Sequence, residues 1–347
     1  MTHSSERHHG LDATRGICAL LVAIYHFMHW SKIGEYPSLG LYAVYAFFTL
    51  SSVTLCVVYG QKFSNGISAH DLVRYALNRA ARILPLLAVV AAITLALTIW
   101  QGGDLSTEVS KFVFTATGLF AFGPAGALGT AAGSWSLGIE ILFYFLFPAL
   151  CLLLMNRRPS FLMGLAAAML LAQCGYSWLV LHSDTLVHRW DTYISPLSFV
   201  FYFAAGFAGY RANFVTRFNL AAGLIFVMAA ACASVVLPAT DTALLLPPYS
   251  LVFPVFIAIG VSLIFHSRAH PATIRIFEFL GAISYSSYLL HPLVYVGIGI
   301  VMRHLSLNVG PVLSALLFFP TTIAISVSDL PAPFDGDVDF GRKIDLR

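Results

Sequence analysis

"RGICALLVAIYHF", Arg15 to Phe27, is an apolar run of helix-forming length with an arginine at one end and a histidine near the other. At about 1.5 Å of rise per residue, Arg15 and His26 lie roughly 16 Å apart along the axis. Whether such a run is a buried soluble helix or a membrane span is decided by what surrounds it. Here 59% of residues are hydrophobic and 10% charged, with mean hydropathy +0.82; soluble domains carry about 25% charged residues. The chain reads as an all-α, polytopic integral membrane protein. A span needs about 20 mainly apolar residues. Ten segments qualify, near 14–30, 39–60, 83–100, 135–155, 161–181, 194–210, 218–237, 250–266, 277–302 and 309–327. The apolar stretch 112–128 is broken by Gly118, Gly123, Pro124 and Gly126, and reads as a re-entrant or surface loop.

The lysines and arginines test this map. With the N-terminus inside, 15 of the 19 fall in cytoplasmic segments, and only Lys32, Lys111, Arg189 and Arg303 fall outside. That is the positive-inside asymmetry. Both termini are expected in the cytoplasm, with 1–13 a cytoplasmic segment, 14–327 the transmembrane domain and 328–347 a cytoplasmic tail. No small-residue cleavage site follows the first apolar run, so that helix is expected to stay. The five cysteines lie in apolar segments with no CxxC or Cys/His pairing, so neither a metal site nor a disulfide framework is expected.

Ionisable residues within spans are costly and usually functional. By helix rise, His26 sits roughly 16 Å above the inner face, His291 roughly 20 Å from its inner start, and Glu140 about 8 Å below the outer face. In a core about 30 Å thick, all three share one upper layer. Arg79 and Arg82, in "NRAARILP", are expected to open the span at 83–100 at the cytoplasmic face, level with Arg15. Three guanidiniums there suit a phosphate-bearing anion, because arginine binds phosphate bidentately. They also suit plain positive-inside anchoring. His291 precedes Pro292 and either lines a cavity or caps a helix break. His29 is either a second pocket group or an interfacial residue. Trp30, Tyr36, Tyr42, Tyr45, Trp190 and Tyr193 fit an interfacial aromatic belt or sugar stacking.

Five segments in order carry a resemblance: "LDATRGICALLVAIYHF" with Arg15 and His26; "FFTLSS" at 47–52; "RAAR" at 79–82; "SWSLGIEILFYFLFP" with Trp135, Ser136 and Glu140; and "LGAISYSSYLLHPLVY" with Ser284, Tyr285, Tyr288 and His291. Together they resemble the membrane-bound acyltransferase-3 family, over about residues 10–327. Ser52 stands where that family usually has glycine. Beyond 327 the likeness stops, in an Asp-rich tail.

The resemblance implies transfer of an acyl group, commonly acetyl, from acetyl-CoA to a hydroxyl of a carbohydrate: exopolysaccharide, O-antigen or a lipid-linked sugar. It implies a bacterial inner membrane, contact with lipids and polysaccharide-assembly machinery, and no nucleic acid or metal. His26 takes the family's place as general base, and Arg15, Arg79 and Arg82 are expected to hold the phosphates of coenzyme A. Depth makes Glu140 the candidate partner orienting His26. Ser136, Ser284 or Tyr285 would donate to the oxyanion or position the acceptor, with Trp135, Tyr288 and His291 beside them. No serine elbow or reactive cysteine is evident, so direct transfer is favoured, with a transient acyl-histidine as the variant route. The competing classes are a proton-coupled transporter, with His26, Glu140 and His291 as relay, and a flippase for a glycan precursor.

Overall fold

The computed structural model describes residues 8–181, 193–212, 221–223, 225, 229, 241–307 and 309–329. Among these there are no strands. The longer helices are α1 (His9–Trp30), α2 (Pro37–Leu55), α3 (Ala69–Trp100), α4 (Leu105–Thr117), α5 (Ser134–Leu154), α6 (Pro159–Leu181), α7 (Val200–Arg211), α8 (Tyr249–Phe265), α9 (Ile274–His304) and α10 (Pro311–Ser328). Past Leu55, α2 continues through a π-helical turn, Cys56–Gly60, to Ser64. Seven described helices are long and apolar enough to cross a membrane: α1, α2 with its continuation, α3, α5, α6, α9 and α10. The chain is thus an all-α, polytopic membrane protein. Helices α7, with 12 residues, and α8, with 17, are shorter than a full span. The expected span at 218–237 lies mostly outside the described residues.

Three sequence boundaries need correction. Helix α3 starts at Ala69, not near 83, because Ser68 caps it by accepting the N–H of Asp71 at 3.1 Å. The apolar run begins at 83, but the Ala-, Leu- and Arg-rich turns before it have good helix propensity. Arg79 and Arg82 therefore lie about 15 and 20 Å along the helix rather than at its mouth. Helix α1 likewise starts at His9, five residues before the apolar run near 14. The stretch 112–128 is not a plain loop: α4 runs to Thr117, and Gly118 stops it at φ 76°, the left-handed conformation glycine adopts readily.

Between lipid-facing helices there is little hydrophobic gain from association, so close packing and polar ties decide the assembly. Helix α2 is central and buried on most sides, against α1, α7 and α8. The most extensive pairing is α1 with α9. It depends on two glycines. A methyl on Gly16 would sit 2.6 Å from the carbonyl oxygen of Leu280, and one on Gly281 would sit 2.6 Å from Asp12 Cβ. Hydroxyls tie the rest: Tyr285 donates to the Ile83 carbonyl at 2.6 Å, and Tyr75 to the Tyr144 carbonyl at 2.9 Å. Ser52 fits where glycine was anticipated because Gly206 faces it, and its hydroxyl reaches the Phe203 carbonyl at 2.8 Å.

Candidate active site

The site has two parts. The lower is a cleft between α1, α2, α3, α5 and α9. Arg15, Arg79 and Arg82 all line it, with Glu140, Ser136, Ser284, Tyr285 and Tyr288. Three guanidiniums thus share one cleft with one lining carboxylate. Arg15 bonds Thr54 Oγ1 at 2.5 Å and pairs with Asp12 at 3.7 Å. Arg79 lies against the rings of Tyr59 and Tyr144, 5.5 and 5.7 Å from their centroids. Its Nε is buried with no hydrogen-bond partner. A buried donor left open beside two further arginines is what an anionic ligand would satisfy.

Glu140 accepts hydrogen bonds from Ser51 Oγ at 2.6 Å and from Tyr144 Oη. Tyr144 is four residues on, so it stands on the same face of α5.

The upper part is a histidine pair. His26 Nδ1 lies 2.9 Å from His291 Nε2. The two rings are nearly coplanar, 15° apart with centroids at 5.1 Å, so they meet edge to edge. Trp30 stacks over His26 at 4.8 Å and 7°. His291 is 1% exposed, and its Nδ1 lies 3.1 Å from the Ser287 carbonyl. Tyr288 joins the two parts. Its ring meets His291 edge-on at 6.2 Å, while its hydroxyl lies 2.7 Å from Ser136 Oγ in the cleft wall.

A family model described as an acyltransferase domain matches residues 8–328. The chain belongs to the acyltransferase-3 family. No curated relative and no solved structure matches it.

Within this acyltransferase, the cleft gathers the three arginines, Glu140, Ser136, Ser284, Tyr285 and Tyr288. His26 and His291 stand together beyond its lining, and Trp135 packs outside it against Tyr193 and Phe199. Glu140 does not contact His26 in the described hydrogen bonds: its oxygen is met by Ser51 and Tyr144, while His26 Nδ1 faces His291. Counted from Trp135 at the outer face, Glu140 would lie in the upper layer. Instead α5 begins level with the Tyr288 hydroxyl, which is 3.3 Å from the Gly133 carbonyl, so Glu140 lies lower, among the arginines. Tyr285 and Ser284 spend their hydroxyl protons on the carbonyls of Ile83 and Gly281, at 2.6 and 2.7 Å. Both hold helices rather than offering free donors. His29 pairs with Glu35 at 2.8 Å on the exposed rim. Tyr42 and Tyr45 are core residues, stacked on Phe253 and Tyr202, not belt residues. Trp190 lies outside the described residues. Ser51, Thr54 and Tyr144 carry polar contacts that the sequence reading passed over. Only Tyr144 had a signal, its helical spacing from Glu140.

Proposed function

We propose that this acyltransferase moves an acetyl group from acetyl-CoA to a hydroxyl of a carbohydrate acceptor, in a bacterial inner membrane. The observation that carries the reading is the convergence of Arg15, Arg79 and Arg82 on one cleft whose wall includes Tyr288. Tyr288 is three residues, less than one turn, below the His26–His291 pair on α9. A phosphate-bearing donor fits the lower part by charge. A thin thioester arm suits the rise of roughly 16 Å from Arg15 to His26.

In this reading, His26 accepts the proton of the acceptor hydroxyl as its oxygen bonds to the thioester carbonyl carbon. Collapse of the tetrahedral intermediate breaks the C–S bond. The proton passes from His26 to the departing sulfur, leaving an acetyl ester, coenzyme A thiol and neutral histidine. The acceptor is a glycan under assembly, such as exopolysaccharide, O-antigen or a lipid-linked sugar.

The test is thiol release from acetyl-CoA by membranes of a deletion strain complemented with wild type or His26→Ala, alongside ester-linked acetate in purified surface polysaccharide. Restoration of both by wild type alone supports the reading. Restored acetate with His26→Ala refutes His26 as base. No thioester consumption by wild type refutes the acetyl-CoA reading and favours transport.

A further inference from the structure

The contacts around His291 decide which nitrogen of His26 is basic. The Ser287 carbonyl is only an acceptor, so the His291 nitrogen 3.1 Å from it, Nδ1, must carry a proton. Pro292 has no N–H, which removes the helical partner of the Tyr288 carbonyl four residues earlier. The freed Tyr288 carbonyl is a further acceptor on the same turn of α9. With the proton held on Nδ1, the Nε2 of neutral His291 is a lone-pair acceptor. The atom it faces at 2.9 Å, His26 Nδ1, must then be the donor. Neutral His26 therefore has its lone pair on Nε2.

We infer that His291 is a positioning residue: the Ser287–Pro292 turn of α9 fixes its tautomer, and it in turn fixes His26 as the Nδ1–H form with Nε2 as the base. The near-coplanar rings give the hydrogen bond good geometry, and Trp30, parallel to His26 at 4.8 Å, limits ring rotation. Burial of His291 at 1% exposure keeps water from competing for the shared proton. The arrangement does for this site what a buried carboxylate does beside a catalytic histidine in serine hydrolases. The difference is that a neutral acceptor leaves no extra charge in the membrane.

This inference rests on the proposed role of His26, so the experiment must separate the two. Wild type, His26→Ala, His291→Gln and His291→Leu are compared as full chains in membranes of the deletion strain. The substrate is acetyl-CoA, thiol release is the readout, and protein levels are matched. A glutamine carbonyl reaches about where Nε2 stands and can accept the His26 proton; leucine cannot. The expected result is a kcat loss of about 10²-fold for His291→Leu, an unchanged KM for acetyl-CoA, and recovery of most activity in His291→Gln. If His26→Ala is inactive while His291→Leu matches wild type, the inference fails and the His26 reading stands. If His26→Ala is active, the His26 reading itself fails and takes the inference with it. Equal inactivity of folded His291→Gln and His291→Leu also overturns the acceptor role. Thermal unfolding in detergent checks folding, and His291→Met replaces the leucine variant if that one does not fold.

Discussion

Gly16→Ala separates two physical effects of opposite sign. In a helix, alanine is favoured over glycine by about 0.8–1 kcal/mol, so propensity alone predicts a more stable protein. Packing predicts the reverse. The new methyl would collide most closely with Leu280 Cβ, and would lie 2.6 Å from the Leu280 carbonyl oxygen and 2.7 Å from its carbon, where ordinary contact begins at 3.4 Å. Two obstacles are backbone and the third, Cβ, is fixed to it, so α1 and α9 must part locally by about 1 Å, at a typical overpacking cost of about 1–3 kcal/mol. The expected net effect is destabilisation of up to about 2 kcal/mol after the propensity gain. Because α1 also carries His26, part of the displacement reaches the 2.9 Å bond to His291. Misplacement on the order of 1 Å can cost about 10²-fold in rate. Thermal unfolding in detergent and thiol release from acetyl-CoA measure the two consequences. Gly164→Ala on α6 is the control, because nothing lies within 4 Å of its added methyl; it is expected to be neutral or stabilised with full activity. The reasoning is refuted if Gly16→Ala unfolds at or above the wild-type temperature with activity intact.

Arg82→Ala is expected to raise KM for acetyl-CoA at least tenfold, with little change in kcat, because charged hydrogen bonds contribute about 1.5–3 kcal/mol; steady-state kinetics at fixed salt check it. Glu140→Ala strands the hydroxyls of Ser51 and Tyr144, and should destabilise by about 1–3 kcal/mol more than Glu140→Gln, which keeps an acceptor oxygen. Denaturation of the two variants decides. Gly206→Ala collides with Ser52, so Ser52→Gly in the same chain should recover part of its stability. A double-mutant cycle is expected to give a coupling of more than about 0.5 kcal/mol.

What the sequence made legible was position along each helix, because rise per residue is nearly constant. That is why His26 and His291, 265 positions apart, were expected in one layer and meet at 2.9 Å. The same counting misassigned Glu140, since it supposed that α5 starts at the outer face. The preceding stretch, with Gly118 and Gly133 both at positive φ, brings the chain back to the level of Tyr288 before α5 begins. Azimuth was not legible either. Nothing in "NRAARILP" distinguishes arginines that face a cleft from arginines that anchor a helix end, because the polar turns before residue 83 hide a capped helical start at Ser68. The family motifs marked which residues matter but not which touch. Ser284 and Tyr285 are adjacent in sequence, yet one closes on its own helix and the other ties α9 to α3. The contact of His291 with the Ser287 carbonyl is a one-turn pairing, readable from "SYLLHP" once that segment is known to be helical. The partner across the helix interface depends on glycines that let α1 approach α9. Neither contact leaves a trace in hydropathy, and the proton position inferred for His26 depends on both.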